Sequence, residues 1–324
     1  MRICSFLPSA TETLYALGLG DSVVGVTYEC DFPAEVKSKP VVVHTKLPHT
    51  SSPGEIDRLV NEFIARGESL YRVDAELLQQ IEPDLIVTQD LCHVCAASPD
   101  DLSSALRMLP RPPRVVSLNP STLAEVLDDI LRLGEATGRL KQARELVSAL
   151  RRRIDAVKKA VAGRPRPRVI CLEWLDPPFA AGHWVPEMVE CAGGIDALGQ
   201  AGKPSFRVDW KQVTQSQADI AVLMPCGYDL KQTLAEFTRL PLPEPWPDLP
   251  AVRRGQVFAV DATSYCSRHG PRVVTGIEIL AHLIHPDAAS VPLPPKSEAN
   301  ALEARNARQG ARTSEESGPT SAAF

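Results

Sequence analysis

The 324-residue chain has no run of 18 or more apolar residues, so no segment reads as a transmembrane helix. It also lacks a strong charge of either sign. The 35 Lys and Arg against 40 Asp and Glu leave a net charge of -5, which gives no electrostatic ground for nucleic acid or an anionic membrane surface as partner. Three catalytic signatures are missing: the Gly-x-Ser-x-Gly elbow, the His-Glu-x-x-His pair and the phosphate-binding glycine loop. Without them no motif supports nucleophilic, zinc-peptidase or phosphoryl-transfer chemistry, and the expectation is a protein that is not an enzyme. The start shows no basic-then-apolar leader, since Arg2 to Phe6 reads at once as a strand. The expected location is therefore cytoplasmic, with a periplasmic or extracellular one only if an upstream leader is missing. Eight cysteines are too few and too scattered for a disulfide framework.

What is present is alternation. Apolar strands at Arg2–Phe6, Val23–Thr27, Val41–Val43, Leu85–Val87 and Val115–Leu118 are separated by segments with helix-start chemistry. Ser9 and Glu12 are spaced as a capping box, Ser52-Pro53-Gly54-Glu55 repeats the pattern with proline in the first turn, Asp74 caps a short helix, and Ser121 opens another. Strands alternating with helices imply a mainly parallel sheet covered on both faces. Between Leu140 and Val161 the apolar residues Leu140, Ala143, Val147, Leu150, Ile154, Val157 and Val161 recur at three and four, the mark of one long amphipathic helix. At 1.5 Å per residue, about 24 residues reach roughly 36 Å, enough to bridge two lobes.

The alternation then restarts, with strands at Val169–Leu172, Ile220–Leu223 and Val257–Val260 and helices at Val185–Ala192, Leu230–Phe237 and Val273–Ile284. The proline-rich 240–250 reads as a loop. The expected organisation is an N-terminal α/β lobe over 1–137, a connecting helix over 138–163, a C-terminal α/β lobe over 164–287 and a disordered tail over 288–324. The fold class is α/β, two Rossmann-like three-layer lobes joined by one long helix.

Four segments carry a resemblance in the right order: Arg2 through Gly18 with its Pro8-Ser9-Ala10-Thr11-Glu12 core, Pro83 through Val87, Pro177-Pro178-Phe179 with Ala192-Gly193-Gly194, and Val252 through Val260. Together they resemble the iron-complex and vitamin B12 periplasmic-binding family, the class III substrate-binding proteins, and most closely its cobalamin-binding branch. The resemblance covers about residues 2 to 287. It implies a helical-backbone chelate-binding fold with small hinge motion, a cobalamin, corrinoid or related metal chelate held between the lobes, and an ABC permease as partner.

In open parallel sheets ligands bind beyond the carboxyl ends of the strands. That edge collects Tyr28, Glu29, Cys30 and Asp31, then His44, Thr45 and Lys46, then Gln89, Asp90, Cys92, His93 and Cys95. In the second half it collects Glu173, Trp174, His183, Trp184, Cys226, Tyr228, Tyr265, Cys266 and His269. Ligand-binding candidates are Ser9, Tyr28, Glu29, Gln89, Trp174, Phe179, His183, Trp184, Tyr228 and Tyr265. The aromatic members suit a flat macrocycle, and the amides of the first helix start suit a propionate or amide arm. For Trp174 and Trp184 the ligand-wall reading is favoured, the competing reading of Trp184 being that it packs the helix that follows it; Ser9 and Glu12 can serve only as caps. Cys30, Cys92 and Cys95, with Cys226 as a weaker fourth, form a candidate soft-metal site for zinc or iron or for direct cobalt contact. Two plainer readings compete: cysteine as a small buried residue, and Cys92-x-x-Cys95 as a redox pair. The alternative function is accordingly a cytosolic cysteine-dependent protein handling metal or corrinoid.

Overall fold

A strand buried on both faces has to be apolar or to satisfy its polar groups internally, and Ile3–Ser5 (β1) meets that demand: all three residues are fully buried, and the Ser5 hydroxyl donates to the Leu7 carbonyl at 3.0 Å. In a computed structural model, which describes residues 1–48, 52–89, 105–107, 109–288 and 291, β1 lies near the middle of a six-stranded sheet. Its neighbours are Val23–Thr27 (β2), Val41–Thr45 (β3), Tyr71–Val73 (β4), Leu85–Thr88 (β5) and Arg114–Ser117 (β6), in the order β4-β3-β2-β1-β5-β6. All pairings are parallel except β3 with β4. The antiparallel edge strand β4 was not expected, because three residues are too short to show an alternation.

The helices of this half are Pro8–Ala16 (α1), Pro53–Ala65 (α2), Ala75–Ile81 (α3) and Leu123–Ala136 (α4). Phe63 and Val60 of α2 and Leu78 and Ile81 of α3 pack in one cluster with Cys4, Val42 and Ile86, while α1 packs on β2 and α4. Ser52 and Asp74 accept from the backbone amides of Glu55 and Leu77, as their spacing predicts. Two caps differ. Helix α4 is capped by Thr122, not Ser121, in a complete box with Glu125. Helix α1 has Leu7 at its N-cap with no side-chain bond, so Ser9 and Glu12 are released for other contacts.

The helix Leu140–Val161 (α5) has the bounds its periodicity predicts, with Ala143, Val147, Leu150, Ile154, Val157 and Val161 all buried. The second sheet is built from Arg168–Leu175 (β7), Pro178–Ala180 (β8), Ile195–Asp196 (β9), Phe206–Arg207 (β10), Ile220–Leu223 (β11) and Val257–Ala259 (β12), in the order β10-β8-β7-β11-β12 with β9 also on β7. The core of β7, β11 and β12 is parallel, and β8 and β10 add antiparallel strands. Helices Val185–Cys191 (α6), Trp210–Gln215 (α7), Leu230–Arg239 (α8), Pro250–Arg253 (α9), Ala262–Tyr265 (α10) and Val273–Ile284 (α11) complete it.

The proline-rich 240–250 is more than a surface loop. Trp246 within it is fully buried, edge-on to Trp210 at 5.6 Å and to Phe237 at 6.0 Å, in the cluster that also holds Ile170, Leu172 and Leu223. The expected tail over 288–324 falls almost wholly outside the described residues; Ala288 and Val291, which are described, are buried.

Two compact units result: Met1–Arg153 with Arg268–Val274, and Ile154–Ser267 with the residues from Thr275 onward. The chain passes from the first to the second inside α5, returns to the first at Arg268, and passes to the second again inside α11. Among the described residues no helix is long and apolar enough to cross a membrane.

Candidate functional site

In the first sheet the chain runs from β1 outward through β2 and β3, then returns to the other side of β1 with β5. This reversal makes the carboxyl ends of β1 and β5 a topological switch point. Ser9 sits just beyond β1, Gln89 just beyond β5, and the segment Arg268–Val274 brings His269 to both. His269 Nε2 lies 3.3 Å from Ser9 Oγ and 3.4 Å from Gln89 Oε1, and all three residues are buried. One nitrogen facing two groups cannot accept from the serine hydroxyl while donating to the amide oxygen. A His269 that donates to Gln89 is therefore not set up to deprotonate Ser9, and the trio serves as a polar brace.

Beside it lies a buried charge cluster. Arg272 donates through Nε and Nη2 to Glu12 Oε2 and Oε1 at 2.9 and 2.6 Å. Arg268 donates to Glu12 Oε1 at 3.3 Å, to Asp31 Oδ1 at 2.5 Å and to the Glu29 carbonyl at 2.9 Å. Glu12 is therefore the shared anion of two guanidiniums, not a cap. Next to it Tyr28 donates to Glu29 Oε1 at 3.0 Å. Burial pushes the Glu29 carboxyl upward, against the Tyr28 hydrogen bond and the Arg268 charge.

In the second unit the chain reverses at β7, with β8 to one side and β11 to the other. Trp174 and Tyr228 meet there edge to face at 5.6 Å, and the Trp174 indole donates to the Asp176 carbonyl at 3.1 Å. Phe179 lies under the Arg207 guanidinium at 5.8 Å. His183 sits at φ 51° with its backbone N–H donating to the Lys203 carbonyl at 2.6 Å, and burial lowers its pKa below the ordinary imidazole value. All four rings are half-buried. Ser205 donates to Glu173, tying the 203–205 backbone to the end of β7. Gly182 lies so close to that backbone that a Cβ there would collide with Lys203 O and Ser205 N.

Two aromatics expected at the ligand surface belong to the interior. Trp184 is 5% exposed and donates its indole N–H to the Cys266 carbonyl at 2.9 Å; it braces the start of α6, the plainer of its two readings. Tyr265 is equally buried, carried inward by α10. Ser9 is buried as well, its hydroxyl turned to His269.

The cysteine expectation changes too. Cys30 is buried against Thr11, 3.1 Å from its hydroxyl, and burial pushes its thiol up to about 11, so at neutral pH it is a protonated thiol and a poor metal ligand. Cys226 is exposed and belongs to the other unit. Cys92 and Cys95 lie outside the described residues. Among the described residues no group of three or more His, Cys, Asp or Glu is placed to hold a metal ion.

A model of the family described as periplasmic binding protein matches residues 3–263. The chain belongs to the periplasmic binding protein family. Among curated members, an uncharacterized ABC transporter substrate-binding lipoprotein of Bacillus subtilis is 27% identical over 88% of this chain and 80% of its own length. A vitamin B12-binding protein of Vibrio cholerae is 24% identical over 86% of each. The solved periplasmic heme-binding protein RhuT of Roseiflexus sp. RS-1 superposes with a TM-score of 0.67 at 22% identity, over 89% of this chain and 99% of that one. Periplasmic binding proteins of this kind confirm the two-lobed α/β class. They also overturn the cytoplasmic expectation: the relatives are periplasmic proteins or lipoproteins, hence extracytoplasmic.

What sequence reasoning missed is the pair Arg268 and Arg272. Their signal was available: two arginines four apart just before the helix at Val273–Ile284, and a lone carboxylate, Glu12, in an otherwise uncharged first helix.

Proposed function

We propose that this periplasmic binding protein captures a corrinoid or closely related planar metal chelate and presents it to an ABC permease, without making or breaking a bond in it. The observation that carries the reading is the half-exposed set Trp174, Phe179, His183 and Tyr228 at the carboxyl edge of the second sheet. Large rings that stay partly open at a switch point supply flat apolar area for a macrocycle. The names borne by relatives point the same way, since they bind vitamin B12 or heme.

Isothermal titration of the purified chain with cyanocobalamin and, separately, with hemin tests the proposal. Saturable one-to-one binding of cyanocobalamin, tighter than that of hemin, supports the corrinoid reading. Tighter hemin binding moves the assignment to a porphyrin, and failure of both ligands to bind overturns it.

A further inference from the structure

The segment Arg268–Val274 leaves the second unit after Ser267, packs with the first, and rejoins the second at Thr275. Every polar side chain described above on this strap ends on first-unit partners. Arg272 holds both oxygens of Glu12, and its guanidinium also lies 4.2 Å from the centroid of the Phe32 ring. Arg268 spans Glu12, Asp31 and the Glu29 carbonyl. His269 lies between Ser9 and Gln89, and Gly270 passes against the Ser9 backbone, where a Cβ would stand 3.3 Å from the Ser9 carbonyl. The Glu12 side chain is only 3% exposed, with both arginines at 10%.

We propose that Glu12 is a positioning residue, the latch that keeps the strap on the first unit and so fixes the first-unit end of α11. Three physical points carry this. The Glu12 carboxylate is contacted by both strap arginines, so its removal takes a shared, buried counter-charge from two guanidiniums at once. Helix α11 begins at Val273, inside the strap, so its first turn is set by wherever Arg272 is held. Finally, His269 reaches Ser9 and Gln89 only because the strap lies on the switch point of the first sheet, and the polar brace there depends on the same latch. The proposal stands apart from the identity of the ligand.

Hydrogen–deuterium exchange on the full-length chain, without ligand, tests it. In Glu12→Gln, amides of the strap and the first turn of α11 are expected to exchange at least about tenfold faster than in the wild type, while amides of α2 and α8 keep their wild-type rates. Glu12→Asp, which keeps the charge on a shorter arm, is expected to fall between the two. Unchanged strap exchange overturns the proposal, as does a uniform rise across both units, which would make Glu12 a general stabiliser. If Glu12→Gln does not fold, Arg272→Lys, which keeps the cation and loses the two-point grip, is expected to show a smaller rise confined to the same amides. A rise elsewhere, or none, overturns it equally. Because no ligand enters the measurement, failure to bind cyanocobalamin leaves this result standing.

Discussion

The two units share one architecture and differ at the same edge. At the switch point of the first sheet, charged and polar groups are buried and matched to one another: Glu12 with Arg268 and Arg272, Ser9 and Gln89 with His269. At the switch point of the second, Trp174 and Tyr228 meet edge to face, the Trp174 indole donates to a backbone carbonyl, and both stay half-open. A buried ion cluster resists change, because taking away one partner strands the others in low dielectric. An open aromatic pair can exchange water for a ligand face at little structural cost. The difference sets a closed, charge-matched edge against an open aromatic one.

The hardest blow to that contrast is Glu12→Ala. It is expected to speed exchange in the strap and the first turn of α11 more than Glu12→Gln does, read from hydrogen–deuterium exchange, whereas Trp174→Ala leaves those amides at their wild-type rates. Unchanged strap exchange would show that the first edge is not held by its charges. Next in size is Asp129, buried on α4. Burial, opposed by Arg132 at 2.9 Å, raises its carboxyl from 3.8 to about 6. Because the folded pKa lies above the unfolded one, the carboxyl costs nothing below about pH 4, and its cost grows as pH rises through about 6, reaching about 3 kcal/mol at pH 7. Asp129→Asn is therefore expected to be more stable than the wild type at pH 7 by up to that amount and equal to it near pH 4. Denaturation at the two pH values checks this, and a pH-independent difference would refute it. Trp174→Ala sharpens the contrast from the other side, with affinity for cyanocobalamin expected to weaken about tenfold or more by titration. Smallest is the thiol pair: at pH 7.4 a maleimide is expected to modify Cys226 and leave Cys30 untouched in the folded chain, read by peptide mass spectrometry, because Cys30 is buried and protonated.

Periodicity made the long elements legible before any coordinates: α5 and α11 have the bounds their apolar spacing predicts, and β11 matches residue for residue. The short antiparallel strands β4, β8 and β10 were not legible, since two or three residues hold no measurable alternation and owe their state to the neighbours they pair with. Trp246 was hidden for a related reason: prolines around it signal a loop, and nothing local says that the loop folds into the core. At the sheet edges, the strand-end rule named Tyr28, Glu29, Gln89, Trp174 and Tyr228, which do lie just beyond or at strand ends. It could not sort rings that face outward from those that face inward, and Trp184 and Tyr265 fell on the inner side. Glu12 was misread because a carboxylate three residues after a serine looks the same as a cap or as the hub of a long-range ion cluster. Only the partner from far along the chain, Arg272, tells them apart.

The close passage of Gly182 over the Lys203–Ser205 backbone also bears on how this family member can diversify. Positions 179 and 183 on either side of it carry half-open rings that can be exchanged to suit a different guest. Position 182 is a rivet: any larger residue there would pry two loops apart and pull Ser205 from Glu173. New specificities should therefore arise by re-lettering its neighbours while the glycine stays.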